Sequence, residues 1–205
     1  MEIEADRSEA AQGGSEATQL VLPRFSVVDI ETSGLSLRRH RILQVAVVTI
    51  EDGAVADEWS SLVRLRWPWQ RVGARSVHGI DRRSLRTAPE RRHVLRELAD
   101  RLEGSVFTAH NAAFDWSFIA RAAHRDRVAL PAVRQLCTLR LSRRLDPERT
   151  ASHRLDDLCV RYDVLNIRPH DALHDARATA AVLQHLLAAN HVAEVGDLDP
   201  LYEGQ

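Results

Sequence analysis

The sequence contains no lysine, one methionine and two cysteines, and it has no long apolar run. Without about eighteen consecutive apolar residues, no membrane span is expected, and the acidic N-terminus lacks the apolar stretch of a secretory signal. Cys137 and Cys159 lie far apart and outside any CxxC pattern, so we expect neither a disulfide framework nor a zinc site. These absences favour a protein of a reducing compartment, the cytoplasm, with no membrane partner.

Charge is unevenly distributed along the chain. Residues 1–20 and residues 191–205 each carry a net charge of −4, which leaves about +7 for residues 21–190. All 28 basic residues are arginines, and a guanidinium group can bind a phosphate through two parallel hydrogen bonds. The arginine-rich centre therefore suits a phosphate-bearing partner, although a bias in the coding sequence would also explain the missing lysine.

Three segments differ in composition. Residues 1–19 are polar, small and acidic, and we expect them to form a disordered tail. Residues 20–190 are long enough and apolar enough for one domain of ordinary size. Residues 191–205 form a short acidic C-terminal tail that contains a few apolar residues.

Runs of apolar and β-branched residues, separated by turn signals, predict strands. We expect strands over residues 25–30, 42–50, 55–65, 105–108 and 134–137. Apolar residues at helical spacing predict helices over residues 86–102, from Asp115, and near Leu139, Leu155 and Leu173. A hairpin followed by alternating helices and strands indicates an α/β sandwich.

Two carboxylates stand near the end of the first predicted strand. Asp29 and Glu31 are two residues apart, so on a strand they project from the same face. Carboxylates held this close repel each other unless a cation lies between them, and hard oxygen ligands favour Mg²⁺ or Mn²⁺ over zinc. Taken alone, a pair of this kind after a strand is more often a turn whose carboxylates are simply solvated.

Two further segments carry acidic residues at predicted helix starts. Asp115 follows the fourth predicted strand, and Asp175 lies five residues after His170, just over one helical turn. Each carboxylate alone could be a partner of the helix dipole, and His170 alone could be an ordinary surface histidine. Together with Asp29 and Glu31 they form a set that could hold two divalent ions beside a histidine base.

These segments, in this order and at these spacings, resemble the DnaQ-type 3′→5′ exonucleases of the DEDDh group, most closely the epsilon, or proofreading, branch of bacterial DNA polymerase III. The resemblance covers roughly residues 24–190. It extends to the stretches around His78, Cys137 and His153, and the histidine at position 170 indicates the DEDDh branch rather than its tyrosine-bearing sister.

The resemblance implies a ribonuclease H-like fold with a five-stranded mixed sheet flanked by helices. It also implies two divalent metal ions, Mg²⁺ or Mn²⁺, with His170 taking a proton from the attacking water. The implied metal ligands are Asp29, Glu31, Asp115 and Asp175. The expected activity is hydrolysis from the 3′ end of DNA with release of nucleoside 5′-monophosphates, in proofreading or repair.

The resemblance also suggests residues that contact the substrate, namely Thr32, Ser33, Gly34, Leu35, His78, Asn111 and Phe114. The expected partners are single-stranded DNA or frayed 3′ ends, with RNA as an alternative, and a DNA polymerase catalytic subunit. Trp67 and Trp69 could stack on bases or pack against the sheet. Two other functions stay open: an exoribonuclease of the ribonuclease T or oligoribonuclease type, and a non-catalytic nucleic-acid-binding scaffold.

Overall fold

The computed structural model describes residues 22–67, 69–73 and 75–203, so the predicted tail over residues 1–19 lies outside the described residues. Five strands form one mixed sheet in the order β3-β2-β1-β4-β5. The strands are β1 (Phe25–Thr32), β2 (Ile42–Glu51), β3 (Ala54–Leu62), β4 (Val106–Ala109) and β5 (Gln135–Cys137). The first three pair antiparallel, whereas β4 is parallel to both β1 and β5. The predicted five-stranded mixed sheet with flanking helices is confirmed.

Seven helices and one 3-10 helix surround this sheet in the described part of the chain. They are α1 (Arg75–His78), α2 (Arg82–Thr87), α3 (Arg91–Leu102), α4 (Ala112–Asp126), α5 (Thr138–Arg144), α6 (Leu155–Arg161), α7 (Ala172–Ala189) and the 3-10 helix Val195–Leu201. One core cluster joins the sheet to α5, α6 and α7, and a second joins it to α3 and α4. No helix among the described residues is long and apolar enough to cross a membrane.

Alternation along β1 determines where its carboxylates point. Phe25 and Val27 belong to the core cluster on the α7 side of the sheet, whereas Val28 and Ile30 belong to the cluster on the α4 side. Because side chains alternate along a strand, Asp29 and Glu31 lie on the same face of the sheet as Phe25 and Val27, the face that is covered by α7.

The predicted helix over residues 86–102 is wrong in its first turn. The chain forms two helices instead, because α2 ends at Thr87 and α3 begins at Arg91. Ala88 precedes Pro89 and adopts an extended conformation, with φ −65° and ψ 155°. The proline ring disfavours helical geometry in the residue before it, so the helical pattern is interrupted here.

The acidic C-terminal segment packs onto the domain over its described part. Leu198, Leu201 and Tyr202 are buried in the core cluster on the α7 side, and Tyr202 forms a β-bridge with Leu136 of β5. Arg134 donates to Asp199 at 2.7 Å, and its guanidinium lies 4.9 Å from the centre of the Tyr202 ring. The few apolar residues of this segment therefore attach it to the edge strand of the sheet.

Candidate active site

Two carboxylates near the C-terminal end of β1, Asp29 and Glu31, have raised pKa values. Burial raises the pKa of Asp29 well above its ordinary value, and the negative charges of Asp115, Asp175 and Glu31 raise it further. Burial and the charges of Asp175 and Asp171 raise the pKa of Glu31 from 4.5 to about 8. Both shifts mean that these groups lie too close together, and too far from water, to remain ionised without a cation.

Asp115 enters the same site from the other face of the sheet. Strand β4 ends at Ala109, and α4 begins after Asn111, whose φ of 73° lies in the left-handed region. This turn places Asp115 in the first turn of α4, where its side chain is buried. Burial raises the pKa of Asp115 well above its ordinary value, against the opposing effect of backbone amide groups that include Ile30.

Asp175, in the first turn of α7, is held by two hydrogen bonds. The side-chain amide of Asn166 donates to one carboxylate oxygen at 2.7 Å, and the backbone N–H of His170 donates to the other at 2.9 Å. Burial nevertheless raises the pKa of Asp175, because these two bonds lower it by less. His170 itself is exposed and has a φ of 66°. A left-handed backbone at a non-glycine residue is a strained conformation that is common at functional sites.

The structure thus brings together four carboxylates from three separate segments, which we call the acidic cluster: Asp29, Glu31, Asp115 and Asp175. One ligand atom from each of Glu31, His170 and Asp175 lies within 4.8 Å of the others. Oxygen donors of like charge at this spacing fit hard divalent cations, and the raised pKa values show how strongly the cluster lacks positive charge.

Internal hydrogen bonds and a close contact with Gly73 hold the loop after β1 in place. Ser33 donates its backbone N–H to the Arg41 carbonyl at 2.9 Å, and its side-chain oxygen accepts from the Arg41 backbone N–H at 3.0 Å. The Thr32 hydroxyl donates to the Gly34 carbonyl at 2.9 Å. Gly73 lies so close to this loop that a Cβ there would stand 2.2 Å from the Ser33 carbonyl oxygen. These contacts hold the backbone of the loop in one conformation beside the acidic cluster.

The other predicted substrate contacts differ in exposure. Leu35 is 82% exposed at the tip of this loop, and Asn111 is exposed without making a side-chain hydrogen bond that caps α4. Phe114 is half-buried and packs on Phe118, with 5.0 Å between the ring centres. His78 is buried, and its Nδ1 accepts the Ile80 backbone N–H at 3.1 Å. The pKa of His78 is lowered, first by burial and also by the nearby His170.

A cavity of about 730 Å³ opens beside Asp175 and His170. Three arginines, Arg143, Arg149 and Arg154, also line it, and the sequence analysis assigned none of them a role. Asn166 was also missed, because nothing in the local sequence indicates that its side chain reaches Asp175. The side chain of Gln44 was missed for the same reason: its oxygen accepts the Ala172 backbone N–H at 3.4 Å, at the start of α7.

Comparison with known sequences gives consistent results. Residues 26–183 match the RNase_T family model, described as Exonuclease. The chain is 30% identical over 181 residues to the PolC-type DNA polymerase III of Halalkalibacterium halodurans, covering 88% of this chain and 12% of that protein. It is 30% identical over 167 residues to the PolC-type enzyme of Bacillus subtilis, covering 80% and 11%. The chain therefore spans about an eighth of the length of these relatives.

Solved structures agree on the fold. E. coli exonuclease I in complex with a dT13 oligonucleotide has a TM-score of 0.73 at 18% identity, covering 82% of this chain and 42% of that one. Exonuclease X with 5′-overhanging duplex DNA has a TM-score of 0.59 at 26% identity, covering 80% and 90%. The nuclease domain of 3′hExo, a DEDDh family member bound to rAMP, has a TM-score of 0.71 at 16% identity, covering 84% and 94%.

These neighbours share the ribonuclease H-like fold, which confirms the predicted fold class. Exonucleases of this family depend on divalent metal ions. The matched region contains the whole acidic cluster and His170. The chain therefore belongs to the RNase_T exonuclease family.

Proposed function

We propose that this chain is a metal-dependent 3′→5′ exonuclease that hydrolyses phosphodiester bonds from the 3′ end of DNA and releases nucleoside 5′-monophosphates. The observation that carries the proposal is the acidic cluster, in which carboxylates from three separate segments approach closely enough to raise one another's pKa. A purely structural role would not favour such an arrangement, because clustered buried carboxylates destabilise the fold unless cations bind them.

In the proposed site, Asp29, Glu31, Asp115 and Asp175 would hold two divalent metal ions, Mg²⁺ or Mn²⁺. When bound, such ions stabilise the negative charge that develops on the reacting phosphate. Asn166 and the His170 backbone N–H keep Asp175 in a single orientation. The exposed His170 side chain, next to Glu31 and Asp175, removes a proton from the attacking water.

The loop after β1 receives the terminal nucleotide through the backbone around Thr32, Ser33 and Gly34. The exposed Leu35 and the half-buried Phe114 present apolar surface to the terminal bases, and such contacts tolerate any sequence. Asn111 lines the cavity beside Asp175 and His170, and His78 lies near His170, so we assign contacts with the sugar or phosphate to these two side chains.

The preferred substrate is single-stranded DNA or a frayed 3′ end. Exonuclease I was solved with a dT13 oligonucleotide and exonuclease X with overhanging duplex DNA, which supports DNA for this chain. The similarity to PolC-type polymerases supports a role at the 3′ ends made during replication or repair, with a DNA polymerase catalytic subunit as partner. The rAMP-bound neighbour supports an RNA 3′ end as the alternative substrate.

The test is a nuclease assay on 5′-labelled single-stranded DNA and RNA of matched sequence, with Mg²⁺, with Mn²⁺ and with EDTA. We expect a ladder that shortens from the 3′ end only with metal and that is lost in the Asp29→Asn variant. The ratio of the DNA and RNA rates chooses between the two substrates. Intact strands under every condition, with binding retained, would replace this proposal by a non-catalytic nucleic-acid-binding domain.

A further inference from the structure

An exposed belt of arginines begins beside the loop after β1 and is not part of the acidic cluster. We call it the arginine tract; it comprises Arg41, Arg64, Arg66, Arg92, Arg121 and Arg125. Four of these line a groove of about 450 Å³ between the end of β3 and the start of α3. Arg41 also lines an adjoining depression with Arg121 and Arg125 of α4.

Most arginines of this tract form no close ion pair among the described residues, although Arg66 and Arg92 lie near enough to Asp126 to lower its pKa. Asp126 is already engaged by Arg91, which donates to its two carboxylate oxygens at 2.7 Å each. Glu90 is exposed and lies 3.8 Å from Arg64. The other five arginines of the tract form no ion pair with any residue in the part of the chain that the structure describes. The pKa of Arg41 is lowered, first by burial and then by its arginine neighbours Arg125, Arg91 and Arg121.

An aromatic platform adjoins the tract. Trp67 and Trp69 stack with 5.2 Å between their ring centres and an angle of 8° between their planes. The Arg66 guanidinium lies 5.0 Å from the centre of the Trp67 ring, and Trp69 is still 74% exposed. Packing against the sheet, one of the two sequence-based interpretations of this pair, does not account for so exposed an indole.

Both features are attached to the loop after β1. The backbone of Arg41 forms two hydrogen bonds with Ser33: its carbonyl accepts the Ser33 backbone N–H, and its N–H donates to the Ser33 side-chain oxygen. Gly73, four residues after Trp69, lies against the Ser33 backbone from the other side. A strand whose 3′ end lies on this loop could therefore continue directly onto the tract.

We propose that the arginine tract and Trp69 bind the single-stranded segment that lies 5′ of the terminal nucleotides. This inference rests on the proposed function, because the proposed 3′→5′ direction of hydrolysis places the 3′ end of the strand at the acidic cluster. Arginines in an exposed groove neutralise backbone phosphates, and exposed indoles stack on unpaired bases of any sequence. A duplex would satisfy the arginines but would offer no unpaired base to Trp69, so the combination favours a single strand.

The first experiment measures binding by fluorescence anisotropy in EDTA, which prevents hydrolysis. The probes are labelled oligo(dT) strands of about 4 and about 16 nucleotides, a range that spans single-strand binding sites, and a blunt duplex. The variant R66Q/R121Q/R125Q removes three tract charges. The matched control R96Q/R127Q/R144Q removes three exposed arginines that line neither the groove nor the depression.

We expect the unmodified protein to bind the long strand more tightly than the short one. The tract variant should lose about tenfold or more for the long strand, and its slope of log affinity against log salt should become shallower by about 2. Trp69→Ala should lose about tenfold with an unchanged salt slope. The control should match the unmodified protein. Equal losses in tract and control variants, or duplex binding as tight as that of the long strand, would overturn the proposal.

A second measurement separates this proposal from the proposed function. For cleavage, the tract variant should lower kcat/KM on the long strand and leave kcat/KM on the short strand unchanged. If the protein cleaves neither strand but its binding still depends on the arginine tract, the proposed nuclease function is refuted and the proposed role of the tract in binding is supported. Normal cleavage with the same length dependence in the tract and control variants would refute the tract alone.

Discussion

The acidic cluster and the arginine tract are two groups of like charges that lie on either side of one loop, yet they differ in their contact with water. Asp115 and Asp175 are buried, and the pKa values of all four carboxylates are raised. The tract arginines Arg66, Arg92, Arg121 and Arg125 are exposed. Burial makes repulsion expensive, whereas water and salt screen it at the surface.

This difference determines how each group binds its partner. The raised pKa values mean that protons or cations stabilise the acidic cluster, so metal binding and stability are linked there. The arginine tract is stable when empty, and we expect its binding to be graded and salt-dependent. Variants in the cluster should therefore change turnover and folding together, whereas variants in the tract should change binding alone.

The largest expected effect follows from replacing Asp29 by asparagine. The Asp29 carboxylate, which four neighbouring acidic groups repel, would become a neutral amide. We expect activity to fall by about a thousandfold or more, because a proposed ligand of the catalytic metal ions is lost. The midpoint of thermal unfolding of the metal-free protein should rise at pH 8. An inactive variant with a lowered midpoint would contradict the claim that repulsion within the cluster costs stability.

The second effect concerns His170. Its replacement by alanine should lower kcat by about a hundredfold or more, the usual contribution of a general base, with little change in the unfolding midpoint because the side chain is exposed. His174→Ala is the matched control, since His174 lies four residues later in the first turn of α7 and, in the described part of the chain, does not join Glu31 and Asp175 in the group that could hold a metal ion. Equal activity in the two variants would remove His170 from the proposed mechanism.

A smaller effect should come from Asn166, which touches only a proposed metal ligand. Asn166→Ala removes the 2.7 Å hydrogen bond to Asp175. Partners of metal ligands typically contribute about 10- to 100-fold to metal affinity or activity. We expect the Mg²⁺ concentration for half-maximal activity to rise, with partial recovery at high Mg²⁺. A loss of kcat that no metal concentration reverses would argue against this positioning role.

The sequence predicted most of the sheet because burial enforces local patterns. Strand β1 is buried over its first four residues, and β2 is buried over all but its last residue. The convergence of Asp29, Asp115 and Asp175 was predicted only through the family resemblance, because no local pattern encodes which segments meet. Asn166 was not predictable, since its role depends on the turn that carries it back to α7.

The arginine tract was hidden for a related reason. Arg41, Arg66 and Arg121 come from three distant segments, and the composition indicated only an arginine-rich centre. The interruption at Pro89 was visible in the sequence, but helical spacing of the flanking leucines masked it. Local patterns thus indicated which elements form, whereas packing determined which charges share a surface.

The smallest expected effect concerns pH and tests the cluster without a substitution. The pKa of Glu31 is about 8 in the folded chain against an ordinary 4.5. A group with a raised pKa stabilises the fold fully below its ordinary pKa, and that contribution is lost as pH rises through the folded value. The metal-free protein should therefore unfold at lower temperature as pH increases from 4.5 through about 8. The shift should be several degrees, since each kcal/mol changes the midpoint by about 2–4 °C in a domain of this size.

Excess Mg²⁺ should reverse that trend, because cations bind the ionised carboxylates and ligand binding to the folded state raises its stability. The Glu31→Gln variant should show a weaker pH dependence and a smaller response to Mg²⁺. Added NaCl compares the acidic cluster with the arginine tract. It should weaken oligonucleotide binding by the tract strongly. It should change the Mg²⁺ response of the cluster much less, because salt screens buried charges less than exposed ones. An equal sensitivity of both readouts to salt would mean that the cluster is as exposed as the tract, and the contrast between the two regions would fail.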